Sequence, residues 1–282
     1  MANRGLPVNV NGSWNMGVPY AKVGGSWKAI NFAYVNVNGT WKQSWANFNK
    51  ATGGSVKDVT NYNGTGQTWR VHTFTAGSHT FTVEIANFPF KVLLAGGGGG
   101  NGGGVSYGGG GGGGFNNYET SLSVGNHGIS VGSAQQNTSA FGRTMIRGGH
   151  GTNHGSWQNG GSGGSGGGAG GTGSSGPPHG ISGGAGTSGQ GHSGAGTQMA
   201  GGRGGGGGGG AGGNGGGTGN VNGGGGGAPA YSDITGSRRP YCAGSGGGGS
   251  DWPSRGGSGG TPASDYGRAN QAGVVIVAYQ IG

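Results

Sequence analysis

Phe88-Pro-Phe-Lys-Val-Leu-Leu-Ala95 and Gly273-Val-Val-Ile-Val-Ala-Tyr279 are continuous apolar runs of strand length, and the stretch between them holds most of the glycine in the chain. From Gly96 to Gly273, 74 of 178 residues are glycine, with unbroken runs at Gly108 to Gly114 and Gly204 to Gly210. Apolar runs without polar alternation suit strands buried on both faces. If the two are neighbours in one sheet, the glycine stretch is an insertion anchored at both ends.

Ordering so much glycine is costly. Each loses about 0.5–1 kcal/mol more than alanine on folding, so the total is on the order of tens of kcal/mol. Only a dense hydrogen-bond network between segments offsets that. Collagen needs glycine at every third position and abundant proline. The chain has nine prolines and no such register. What remains is a bundle of polyglycine II helices, rising about 3.1 Å per residue, so a seven-glycine run spans about 22 Å. Reversals at polar or aromatic breaks predict a layered sandwich with loops at both ends.

Outside the glycine region, a short unit repeats near the N-terminus: Val8-Asn-Val-Asn-Gly-Ser-Trp14, Ala21-Lys-Val-Gly-Gly-Ser-Trp27 and Val35-Asn-Val-Asn-Gly-Thr-Trp41. Asn-Gly or Gly-Gly between alternating residues signals a tight hairpin turn. Hairpins this short lack a core of their own and need a partner surface or identical copies. They either attach the chain to a larger assembly through Trp14, Trp27 and Trp41, bring three copies together, or merely cover one end of the chain. Residues 49–66 are polar and turn-rich and read as a linker. Trp69 to Thr75 and His79 to Ile85 alternate apolar with polar and read as a half-buried hairpin.

The predicted fold is therefore all-β plus polyglycine II. It has tryptophan hairpin repeats over 1–48, a linker over 49–66, a small antiparallel β-domain from 67–95 with 274–282, and an inserted glycine-rich helical sandwich over 96–273.

Composition narrows the function. Net charge is +9, but charged residues are only 7% of the chain and all six lysines precede Gly96. That is not the dense basic stripe of a nucleic-acid groove. Arginine-glycine units occur at Gly202-Arg-Gly-Gly and Ser254-Arg-Gly-Gly, without the repeated aromatics of a nucleic-acid-binding segment. A single cysteine, Cys242, excludes an intrachain disulfide framework. The first residues lack a secretory signal, and no run approaches the roughly 20 apolar residues of a membrane span. Synthesis in a cytoplasm is the expectation, with no membrane insertion.

The order Trp69-Arg-Val-His-Thr-Phe-Thr-Ala-Gly-Ser-His-Thr-Phe-Thr-Val83, then Val92-Leu-Leu-Ala-Gly-Gly-Gly-Gly-Gly100, then a glycine-rich body ending in Gly273 to Tyr279, resembles the glycine-rich domain of bacteriophage tail-fibre and tail-tip proteins. The tryptophan units resemble short hairpins of phage tail proteins. The architecture is similar to the receptor-binding adhesin at the tip of T-even-type long tail fibres, in composition and not residue by residue. The resemblance implies a virion protein, in the tail fibre or tail tip. Its partners would be other tail proteins and a bacterial surface receptor, a glycan or an outer-surface protein, with a homotrimer as one possible assembly. No functional residue carries over by motif.

Catalysis has little to work with. The six carboxylates, Asp58, Glu84, Glu119, Asp233, Asp251 and Asp265, are scattered. His150 and His154 stand four apart in a segment that is not helical, so that spacing gives no shared face, and neither a metal nor a cofactor is expected. No nucleophile motif is present. Ice binding would need flat faces of small, regular residues, which bulky breaks interrupt.

Those breaks carry the candidate recognition residues: Phe115, Tyr118, Trp157, Tyr231, Arg238, Arg239, Tyr241, Trp252, Arg255 and Tyr266. Aromatics and arginine are the usual anchors of recognition surfaces. Reversing segments divide the breaks between two ends, so only about half can face one receptor. The function expected is adsorption to a host surface. The alternative is a structural spacer or cap without receptor contact.

Overall fold

The computed structural model describes residues 6–10, 13–17, 20–30, 32–37, 39–46, 48–171, 181–197, 204–218, 222–249 and 266–281. Its N-terminal part is three separate antiparallel pairs. They are β1 (Leu6–Val10) with β2 (Ser13–Gly17), β3 (Tyr20–Val23) with β4 (Ser26–Ala29), and β5 (Phe32–Val37) with β6 (Thr40–Ala46).

Twelve more strands follow: β7 (Lys50–Thr52), β8 (Ser55–Val59), β9 (Trp69–Phe74), β10 (Gly77–Ile85), β11 (Phe90–Ala95), β12 (Phe115–Thr120), β13 (Gly125–Val131), β14 (Thr138–Ala140), β15 (Arg143–Met145), β16 (Ala230–Ser232), β17 (Arg239–Tyr241) and β18 (Val274–Gln280). They build two five-stranded antiparallel sheets, ordered β15-β14-β13-β10-β7 and β12-β11-β18-β9-β8, and one further hairpin, β16-β17. Phe81 and Val83 from the first sheet meet Phe90, Val92, Leu94, Val275 and Val277 from the second in one buried core. The protein is all-β, a two-layer sandwich, and no α-helix occurs among the described residues.

The two apolar runs are neighbours. β11 pairs β18 from Lys91 opposite Ala278 to Ala95 opposite Val274. Phe90, Val92 and Leu94 point between the sheets, whereas Leu93 and Ala95 point outward. On β18, Val275, Val277 and Tyr279 point inward, and Val274, Ile276 and Ala278 outward. The outer face is buried as well, under Ile234, Tyr241 and Cys242 from the glycine region. Each large apolar side chain buried in this way contributes about 1.5–3 kcal/mol. Burial pushes the Cys242 thiol well above its ordinary range.

Three expectations need correction. First, the region 96–273 is not an inserted helical sandwich. It contains no helix among its described residues, and it supplies β12 to one sheet and β13, β14 and β15 to the other. Side chains such as Ile129, Val131 and Met145 are needed to close the core, and glycine has none to offer. Second, β9 and β10 are not a hairpin. β9 pairs β18 and β8, and β10 pairs β13 and β7, so residues 75–76 cross from one sheet to the other. Phe74 and Phe81 then face each other through the core at 6.0 Å and 88°. Third, residues 50–59 of the expected linker form the edge strands β7 and β8. Their few apolar residues hid them, because an edge strand is held mainly by its neighbour's backbone.

A buried polar contact ties these edges to the core. His72 Nδ1 lies 2.7 Å from the Gly53 carbonyl, which fixes the proton there, and Nε2 lies 3.2 Å from the Tyr279 hydroxyl. That hydroxyl accepts from the Ala51 N–H at 3.0 Å. Burial, and then the nearby Arg70 charge, hold the His72 pKa below its ordinary value, against the Gly53 carbonyl and Asp58. The unfolded chain therefore takes up the proton first as pH falls. Stability from neutral His72 is complete above about pH 6.5 and is lost progressively below it. Denaturant unfolding at pH 7.5 and 5.0 should show this loss, and His72→Gln should flatten the slope between the two.

Candidate receptor-binding surface

The glycine segments cross repeatedly between two ends. Residues 96–102 leave β11, and 108–114 return to β12. Along 108–114, Gly108, Gly111 and Gly114 donate to the carbonyls of Thr152, Gly149 and Ile146 at 2.8, 2.9 and 2.8 Å. Gly109 and Gly112 donate to Gly206 and Gly209, both at 2.9 Å. Gly110 and Gly113 donate to Asn101 Oδ1 and the Gly267 carbonyl, each at 2.8 Å. Every N–H of the run is satisfied, and the partner changes with a repeat of three residues. The carbonyls of Gly108, Gly111 and Gly114 accept from Gly102, Gly99 and Gly96, while those of Gly109 and Gly112 accept from Gly168 and Ser165. A backbone surrounded on all sides in this way has no room for a side chain.

Glycine is required here for room. No glycine of the 108–114 run has φ in the left-handed region. Such values occur at turns, for example Gly104 and Gly155.

Pairing fixes which loops share an end. Gly164 and Gly161 donate to Arg147 and His150, so residues 160–164 run against 147–150 back toward the strands. Ser165 and Gly168 then donate to Gly112 and Gly109, carrying the chain away again to Gly171, whose N–H reaches the Ser106 carbonyl at 2.6 Å. The end far from the sandwich thus holds residues 103–107 and 153–159. Thr197 donates to Ile181 at 2.9 Å, and Gly248 to Tyr107 at 2.8 Å, at the same level. The described residues flanking 172–180, 198–203 and 219–221 all lie at this far end.

The 103–107 and 153–159 loops brace each other. His154 donates to the Gly103 carbonyl at 2.9 Å, Gly103 to Asn153 Oδ1 at 2.7 Å, and Gly155 to the Gly171 carbonyl at 2.9 Å. They present Trp157, 54% exposed at φ 55°, with exposed Val105 and half-buried Tyr107 beside them. Val105 and Tyr107 were not among the expected residues. The three-residue break Val105-Ser-Tyr107 between glycine runs is the signal that marks them.

The other candidates do not join Trp157. Phe115 and Tyr118 sit on β12, half-buried against the two cores, with the Arg143 guanidinium 4.0 Å from the Tyr118 ring centre. Burial raises the Tyr118 pKa. Tyr241 is fully buried, 5.9 Å from Phe115, and cannot be a loop anchor. Strand pairing and core burial claim these three, since an aromatic beside a sheet is worth more inside it. Tyr231 is exposed beneath the Arg238 guanidinium at 4.3 Å, next to exposed Arg239, at the sandwich end. Tyr266 is half-buried there too. Trp252 and Arg255 lie outside the described residues.

Among the assembly candidates, Trp27 and Trp41 are each 69% exposed, and the Trp14 side chain lies outside the description. Among the described residues no helix is long and apolar enough to cross a membrane, and no three metal-ligating side chains converge. Compared with protein-family models, curated proteins and solved structures, the chain matches none.

Proposed function

We propose that this chain is a receptor-binding protein of a bacteriophage tail fibre or tail tip, acting in adsorption to the host surface without cleaving it. One observation carries the reading: a hydrogen-bonded base of glycine segments holds two braced loops at the end away from the sandwich, and they expose Trp157. Recognition loops on a rigid scaffold are a common arrangement for binding. The three-residue repeat of bond partners, with φ outside the left-handed region, supports polyglycine II-type geometry for the glycine segments. The N-terminal hairpins attach the chain to other tail proteins or join three copies, for which exposed Trp27 and Trp41 supply apolar area.

Purified protein should bind cells of the host strain and compete with phage adsorption. Trp157→Ala should weaken that competition about 30-fold, the effect of losing an interface anchor worth roughly 2 kcal/mol. Tyr231→Ala, at the sandwich end, should leave it unchanged. A chain that never binds cells is instead a spacer or cap within the particle.

A further inference from the structure

A second candidate site lies on the sandwich itself, on the outer face of the β10-containing sheet. It is an open groove of about 590 Å³, within the roughly 300–1,000 Å³ of small-ligand pockets. Strand register sets one hydroxyl from each of four adjacent strands in a row. Ser78 on β10 stands opposite Ser130 on β13, Ser130 opposite Ser139 on β14, and Ser139 opposite Thr144 on β15. With strands about 4.8 Å apart the row is roughly 14 Å long. All four point away from the core, because Phe81, Ile129, Ala140 and Met145, at odd spacings from them, point into it. Ser139 and Thr144 share one hydrogen bond at 2.8 Å and keep one hydroxyl hydrogen and further lone pairs between them.

The floor beside this row is Gly128, two residues before Ser130 on the same face of β13. Glycine weakens a strand interior, and where it stands it often marks a bulge or the close approach of a ligand or another backbone. The fold gives no reason for it here. Its φ lies outside the left-handed region, and its pairing with Thr80 continues the register without a bulge. A carbon added there would meet nothing within 4 Å, so no described backbone presses on it. What the missing side chain leaves is an open floor.

Arg143 is the only lysine, arginine, aspartate or glutamate among the described residues that line the groove, and its guanidinium lies over the Tyr118 ring of the other sheet, 4.0 Å from the centre. His79 donates from Nε2 to the Thr75 carbonyl at 2.7 Å, and the Phe141 ring packs 6.1 Å from Phe81. An anion would therefore meet no cation turned toward it, and a protein partner none of the aromatic or arginine anchors of an interface. An apolar ligand would leave the hydroxyls unpaired. We infer that this groove binds a neutral oligosaccharide. Its hydroxyls hydrogen-bond along the row, and the C–H face of one ring rests on the bare backbone at Gly128. This site does not rest on the adhesin reading, and no residue of the far-end loops lines it.

A glycan array of neutral and acidic oligosaccharides, probed with the labelled full chain, should show neutral ligands that are kept by Trp157→Ala and lost by Gly128→Val. Calorimetric titration with the strongest of them should show binding at least about tenfold weaker for Gly128→Val, whose side chain fills the floor. Ser130→Ala, which removes one exposed hydroxyl, should weaken it about three- to tenfold. Gly128→Val should keep or raise the melting temperature, because a β-branched residue suits a strand better than glycine does. Lost binding with kept stability separates a ligand floor from a structural glycine. No neutral ligand with that pattern, unchanged affinity in Ser130→Ala, or a lower melting temperature for Gly128→Val overturns the assignment. Cell binding lost in Trp157→Ala while the array signal remains leaves this site standing, and cell binding that persists when Gly128→Val has no effect on the array leaves the adhesin reading standing.

Discussion

Gly168→Ala is expected to destabilise the protein by about 3–5 kcal/mol, from roughly 1–3 for overpacking and about 1 for each of two displaced hydrogen bonds. A methyl group there would overlap the carbonyl of Gly206 and crowd Gly207, both backbone, so no side chain can turn away to admit it. Gly168 also donates to Gly109 at 2.7 Å, and its carbonyl accepts from Thr152 at 3.1 Å. Separating the segments enough to fit the methyl stretches both bonds beyond useful length. A calorimetric melting temperature lower by on the order of 10 °C is the expected reading. Gly217→Ala is the control. Its added carbon meets nothing within 4 Å, and its φ lies outside the left-handed region. That change should be neutral or stabilise by up to about 1 kcal/mol, through the unfolded chain. Equal effects of the two alanines would mean that close approach is not why glycine is there.

The contrast between these glycines marks the limit of what the sequence reveals. β11 and β18 were legible as a pair because both their faces are buried, which leaves an unmistakable apolar run. The exchange of β9 and β10 between sheets was not. A hairpin and a crossing share the same alternation, and only the partner strands β13 and β18 decide between them. Strands β12 to β15 were hidden for a related reason, since glycine on both sides placed Phe115 and Tyr118 on a break of the glycine region and not on a strand of either sheet. Nor does a glycine run carry any mark of its neighbour. Gly109 meeting Gly206 while Gly108 meets Thr152 follows from three-dimensional packing alone. The candidate site inherits this blindness. Trp157 and Tyr231 look alike as aromatic interruptions, yet counting crossings sends them to opposite ends.

Phe81→Ala is expected to have the largest effect of any single core truncation, about 3–5 kcal/mol. The ring is fully buried on β10 and meets four others edge-on. They are His72 at 5.2 Å and 78°, Phe74 at 6.0 Å and 88°, Phe90 at 5.9 Å and 89°, and Phe141 at 6.1 Å and 81°. Such pairs add about 0.5–1.5 kcal/mol each beyond the area they bury. Phe81 belongs to one sheet, whereas His72, Phe74 and Phe90 belong to the other, so the truncation loosens the contact between layers. Trp41→Ala, at an exposed position, should change stability by less than about 0.5 kcal/mol. The consequence for binding follows from connectivity. Gly96 and Gly273 leave β11 and β18 directly, and Gly114 enters β12, so the sandwich holds the glycine segments by their ends. Calorimetry on Phe81→Ala should therefore show one transition at a lower temperature, with cell binding lost at that same temperature. A second, unshifted transition would show that the glycine hydrogen bonds hold without the sandwich, and that the two apolar runs are not the clamp.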